Sequence, residues 1–134
     1  LMNAKFAAET ITDNGLATWV SEEVLSQGET FTMTVQSDGV NPLLASISWT
    51  DQAGTVSNGT ANVTTPSLVN DLDIRVSNGT TYTPWRLTGV NSNGTGDNVV
   101  DPYERVEVNG ASGAYTITVT HKGTLSNGPQ RFSL

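Results

Sequence analysis

A chain of 134 residues with 36% apolar residues and 13 glycines is long enough for one domain with a real core. Its net charge of −7, from 13 acidic and 6 basic residues, argues against nucleic acid, which needs a basic face, and against anionic membranes. Cysteine is absent, so no disulfide framework exists, and no apolar run approaches the roughly 18 residues that span a bilayer.

In chain order, residues 1–11 read as a short helix. Met2, Phe6 and Ala7 share one stripe, and Ala4, Lys5, Ala8 and Glu9 are good helix formers. Asn14-Gly15 ends it, with Gly15 suited to a left-handed cap. The start is abrupt and reads as the tail of something upstream. Residues 16–20 read as a short strand carrying Trp19, and Ser21-Glu22-Glu23 as a polar break. Residues 30–36 alternate cleanly, with Phe31, Met33 and Val35 inward. Asp38-Gly39 and Asn41-Pro42 are turn signals. Residues 43–50 form a strand with Ile47 and Trp49 in phase, closed by Asp51. A long Gly/Ser/Thr/Asn loop fills 52–67.

Residues 68–76, LVNDLDIRV, are the strand around which the chain is organised. Leu72, Ile74 and Val76 alternate with Asp73, Arg75 and Ser77. Asn78-Gly79 is a hairpin turn into a strand at 81–87 with Tyr82 and Trp85. A polar loop follows at 89–100, then strands at 103–109 and 114–122. The second places Tyr115, Ile117, Val119 and His121 on one face. After a loop at 123–129, residues 131–134 open a last strand that is cut short. Charged residues are only 14%, below the usual quarter, with Ser, Thr, Asn and Gly in their place. That is the texture of an extracellular β-domain. About eight strands at this spacing predict an all-β fold, an antiparallel β-sandwich of jelly-roll type with one short N-terminal helix. The sequons at Asn58, Asn62, Asn78 and Asn93 read as turn and loop residues rather than glycan acceptors.

The chemistry available is narrow. With one histidine, no cysteine and no Gly-x-Ser-x-Gly elbow, neither a triad nor a zinc site is built, and His121 reads as a packed or rim residue. Calcium is the best candidate, because it takes roughly 6–8 oxygen ligands. Asp71 and Asp73 stand at the mouth of a core strand, where aspartate has no packing use. Glu104 shares a face with the inward Val106 and Val108, and a buried carboxylate is costly unless neutralised. Asp97, Asn98 and Asp101 precede it, and Asp51 ends a core strand. These seven residues are the candidate metal ligands. The structural alternatives pair Asp73 with Arg75, and Glu104 with Arg75, Arg86 or Arg105. Among the aromatics, Trp49 belongs with the core, and Tyr82 and Trp85 are the candidate platforms for a sugar ring or a fibrous protein.

Four stretches occur together in one order: LVNDLDIRV, GDNVVDPYERVEV, GAYTITVTHKG and LSNGPQRFSL. They resemble the C-terminal β-domain of secreted bacterial subtilisin-like serine proteases, and LMNAKFAAETI resembles the last helix of the subtilisin catalytic domain. The resemblance implies that residues 1–14 are the tail helix of a protease domain and 15–134 a jelly roll akin to the P-domains of kexin-like convertases. Such domains pack on the catalytic domain and stabilise it, and some bind calcium or substrate. The parent would be a secreted serine endopeptidase whose catalytic residues lie upstream of Leu1; this stretch is non-catalytic and monomeric, and its partner is the catalytic domain of the same chain. The family pattern carries Asp-Asn before the glutamate of the sixth strand. Here Asp101-Pro102-Tyr103-Glu104 stands there, so Pro102 or Tyr103 replaces one oxygen ligand. The other function considered is an independent binding module for polysaccharide or for insoluble protein such as collagen.

Overall fold

The computed structural model describes residues 3–56 and 65–134. Met2, the sequons at Asn58 and Asn62 and half of the predicted 52–67 loop lie outside them. Among the described residues one helix, α1 (Ala4–Thr12), precedes ten strands: β1 (Glu22–Leu25), β2 (Phe31–Ser37), β3 (Leu43–Ser48), β4 (Asp71–Ser77), β5 (Thr81–Tyr82), β6 (Trp85–Gly89), β7 (Ser92–Thr95), β8 (Tyr103–Val108), β9 (Gly113–Lys122) and β10 (Gln130–Ser133).

Eight strands build two four-stranded antiparallel sheets, in the orders β1-β10-β3-β8 and β2-β9-β4-β5; β6 and β7 pair apart as a hairpin. From β1 to β4 each connection crosses from one sheet to the other, and the same holds from β8 to β10. That winding is a jelly roll. The core lies between the sheets. Leu25, Ile47, Val106, Val108 and Phe132 face Leu72, Ile74, Val76, Tyr115, Ile117 and Val119, all buried. Phe31 of one sheet meets Phe132 of the other edge-to-face, ring centres 5.6 Å apart. The period-two alternation read in β2, β4, β8 and β9 therefore places the predicted faces inward, and Trp49 is buried with its indole N–H donated to the Asn70 carbonyl at 3.0 Å.

Three expectations are corrected. Residues 16–20 form no strand. Their hydrogen bonds are local: Gly15 N–H to the Thr18 carbonyl at 2.8 Å, Leu16 N–H to the Asp13 carbonyl at 2.9 Å, and Val20 N–H to the Asn14 side chain at 2.8 Å. The first strand starts instead at Glu22, within the polar break, where four residues register with β10. The strand expected at 81–87 is two strands in two sheets, because Pro84 has no N–H for a ladder and turns the chain away. The loop expected at 89–100 contains β7, paired with β6 across a bulge at Leu87/Gly89.

Helix α1 is capped by Asn3, whose side chain accepts the Phe6 N–H at 3.0 Å, and it stops at Asp13. Gly15 has φ +83 in the turn beyond. None of the helix residues is buried.

Candidate functional site

The predicted ligands fall into three groups. The first lies on the rim of β4. Register pairs Asp71 with Lys122 and Asp73 with Thr120, so the lysine at the end of β9 sits among acids from β4 and from the loop after β7. Its ammonium is 3.6 Å from Asp71, 3.0 Å from Asp73 and 3.1 Å from Asp97. Arg75 lies 3.3 Å from Asp73 and also pairs closely with Asp97. The proposed Asp73–Arg75 pair is thus present. Three carboxylates share two cations, and one negative charge is left over.

Charge and burial set the proton affinities here. Burial pushes the Asp71 carboxyl up, and Lys122 offsets only part of that. Asp97 is held below the usual range, first by the hydrogen bond from Lys122. Burial pulls Lys122 down, but its hydrogen bonds to Asp73 and Asp97 outweigh this and hold it above its ordinary value. Asp71 Oδ1 is buried and has no hydrogen-bond partner among the described residues.

The second group is Glu104 with Asn98 and Asp101. Glu104 is fully buried. Oε2 accepts the Ile74 N–H at 2.7 Å, and Oε1 accepts the Asn98 N–H at 3.3 Å. Among the described residues it makes no ion pair, so the alternative pairing with Arg75, Arg86 or Arg105 is not seen. Burial drives its pKa up to about 7, against the two amide hydrogen bonds. Asn98, also buried, donates to Asp101 Oδ2 and the Tyr103 carbonyl, each at 3.2 Å, and accepts the Val100 N–H at 3.2 Å.

Asp51 stands apart as the third. Its carboxylate accepts three backbone N–H groups, from Gln52 at 2.8 Å, Val69 at 2.6 Å and Asn70 at 2.9 Å. It ties the end of β3 to the entrance of β4. Beside it the buried Asn70 donates to Gln130 at 2.8 Å and accepts the Ser126 N–H at 2.7 Å.

Local structure explains why these acids gather. β5 registers only with Val76 and Ser77, because Thr83-Pro84 leads the chain off into the hairpin. The edge of β4 from Asp71 to Arg75 is left without a strand. Glu104 takes the Ile74 N–H, and Arg75 donates to the Ile74 carbonyl at 2.7 Å. An uncovered edge is a template for unwanted pairing, and charged side chains are one way to close it. The acids are oxygen donors of the kind a hard cation takes, but among the described residues no three of them converge closely enough to hold an ion; Lys122 already lies among Asp71, Asp73 and Asp97, and an ion would have to displace it and draw them together. Lys122 is the residue that sequence reasoning missed; an acid and a lysine facing each other across paired strands was the available signal.

The aromatics separate too. Tyr82 is half-buried, packs against the core and has its ring 6.3 Å from that of Tyr115. Trp85 is 39% exposed and lines an open cleft. His121 accepts the Gly28 N–H on Nε2 at 2.8 Å, the packed role expected of it. No family model matches the chain, and no curated protein matches it.

Proposed function

We propose that this chain is a non-catalytic accessory domain of a secreted subtilisin-like serine protease, which stabilises the catalytic domain it follows and binds calcium. The observation that carries the reading is α1. It has nine residues, is capped, and buries nothing in the sandwich. A helix of that length is marginal in water without tertiary packing. Phe6 and Ile11 on the helix, and Leu16, Trp19 and Val20 after it, are all exposed. A surface supplied by a preceding domain satisfies them together. The four ordered motifs and the jelly-roll winding support the same reading.

Calcium enters through the residual negative charge on β4 and the unpartnered Asp71 Oδ1. Asp71, Asp73 and Asp97 would hold the ion in competition with Lys122, and it would neutralise the cluster as a staple does in a domain without disulfides.

The gene tests the first part. The reading frame continued upstream of Leu1 should encode a catalytic domain with Asp, His and Ser in subtilisin order. A stop codon or an unrelated domain there overturns the reading. A thermal melt with calcium and then with chelator tests the second. An ion at about 100 times its Kd adds about 2.7 kcal/mol, a shift of about ten degrees at this size. No shift removes calcium from the proposal.

A further inference from the structure

The cleft beside the β6–β7 hairpin is used by neither the acidic rim nor the helix. It is open and holds about 410 Å³. Trp85, Arg86 and Leu87 of β6 and Tyr103 and Arg105 of β8 line it, with Asn93, Asn98 and Asp101. Strand alternation sets this up. Glu104, Val106 and Val108 point inward from β8, which leaves Tyr103 and Arg105 on the outer face. Trp85 is 39% and Tyr103 48% exposed. Two large aromatics left at one opening are the informative kind of exposure.

The polar groups around them retain bonding capacity. Asp101 gives one carboxylate oxygen to Asn98, at 3.2 Å, and keeps the other for a ligand. Arg105 uses one guanidinium nitrogen on Glu107, at 3.3 Å. The floor is already set, because Asn98 holds both Asp101 and the Tyr103 carbonyl. A site formed in advance loses little to ordering on binding.

We propose that this cleft binds a neutral polysaccharide, with a sugar ring stacked on Trp85 and Tyr103 and its hydroxyls bonded by Asp101, Asn93 and Arg105. An aromatic face is complementary to the C–H face of a pyranose ring. A hydroxyl both donates and accepts, and the lining offers a carboxylate, an amide and a guanidinium. Arg105 is paired with Glu107 at 3.3 Å, which leaves Arg86 and Asp101 of the lining to offset one another, so neither a polyanion nor a polycation is attracted by net charge. A peptide added as a strand is disfavoured, because β6 lies close beside β8, the outer strand of its sheet, and crowds that edge. The proposal is independent of the domain's attachment to a protease.

The test is affinity electrophoresis of the 134-residue chain in native gels containing soluble starch, xylan or mixed-linkage β-glucan, with pull-down on insoluble cellulose and chitin. At least one should retard or retain the protein. Trp85→Ala and Tyr103→Ala should each weaken that binding about tenfold or more, while Trp85→Phe keeps most of it. Trp19→Ala, which removes an exposed tryptophan outside the cleft, should change nothing. Circular dichroism melts report folding, and if Trp85→Ala fails to fold, Tyr103→Ala and Asp101→Ala decide. Absence of binding to all of these polysaccharides overturns the proposal. So does binding that survives both aromatic substitutions, and so does retention on collagen or gelatin matrices alone.

Discussion

The carboxylate of Glu104 on β8 accepts the backbone N–H of Ile74 on β4, in the opposite sheet, at 2.7 Å. The carbonyl of the same residue takes the Arg75 guanidinium, also at 2.7 Å. Both backbone groups of Ile74 are thus satisfied by side chains at the point where β5 has already ended. Two side chains stand in for the missing strand. An unpaired buried N–H and C=O would otherwise cost about 1–3 kcal/mol each.

Glu104→Ala orphans the Ile74 N–H and opens a cavity, and should cost about 2–4 kcal/mol. Urea denaturation at constant pH would measure it. Glu104→Gln keeps an acceptor and should cost much less.

The same residue makes stability depend on pH. Burial raises the Glu104 carboxyl from 4.5 to about 7. Between those values the folded chain holds a proton that the unfolded chain has released, so stability falls as pH rises through the window. A shift of this size corresponds to about 3 kcal/mol. Asp71, also raised by burial, acts in the same direction. Asp97 is held low by Lys122, and opposes it by losing its contribution in stronger acid. The melting temperature should therefore climb from about pH 8 to about pH 5 and drop below about pH 4. In Glu104→Gln the climb should largely vanish.

Lys122→Met removes one of two cations from three carboxylates. Lys122 is 38% exposed, so water screens part of the effect, and the expected loss is about 1–3 kcal/mol. The loss should shrink in high salt. If calcium binds at Asp71, Asp73 and Asp97, its stabilising effect should be larger in this variant than in the parent, because the competing ammonium is gone. Calorimetric titration on both proteins checks this.

Asp51→Ala should destabilise by about 1–3 kcal/mol, since three backbone N–H groups lose their acceptor. Any calcium-dependent rise in melting temperature should be the same as in the parent, because the Asp51 carboxylate is taken up by backbone N–H groups and is not among the acids around Lys122.

Deleting residues 1–14 should leave the melting temperature within about two degrees, because α1 buries none of its residues in the sandwich. A large fall would show that the helix is held by this domain and would count against its assignment to a neighbour.

Most of the fold was legible in the residues. The strands at β2, β4, β8 and β9 announce themselves because side-chain alternation is a local property, and a buried face must repeat every second residue. Glu104 could be read as inward for the same reason, from its phase with Val106 and Val108. The breaks were harder. Pro84 in an otherwise strand-like run was a visible signal for the split between β5 and β6. The short β1 was not visible, because Glu22 and Glu23 look like a loop until β10 pairs with them.

What the sequence determined by itself was a β-sandwich, its inward faces and a set of acids too numerous at strand ends for packing. How those acids are shared out follows from the folded arrangement. Register and winding bring Lys122 to Asp71, Asp73 and Asp97, send Asp51 to the backbone of residues 69 and 70, and bury Glu104 against Ile74. They also pack Tyr82 against the edge of the core and set Trp85 and Tyr103 at one cleft. Alternation along one strand is written in neighbouring residues. Which side chain meets which across two sheets depends on pairings between segments far apart in the chain, and those exist only once the chain has folded.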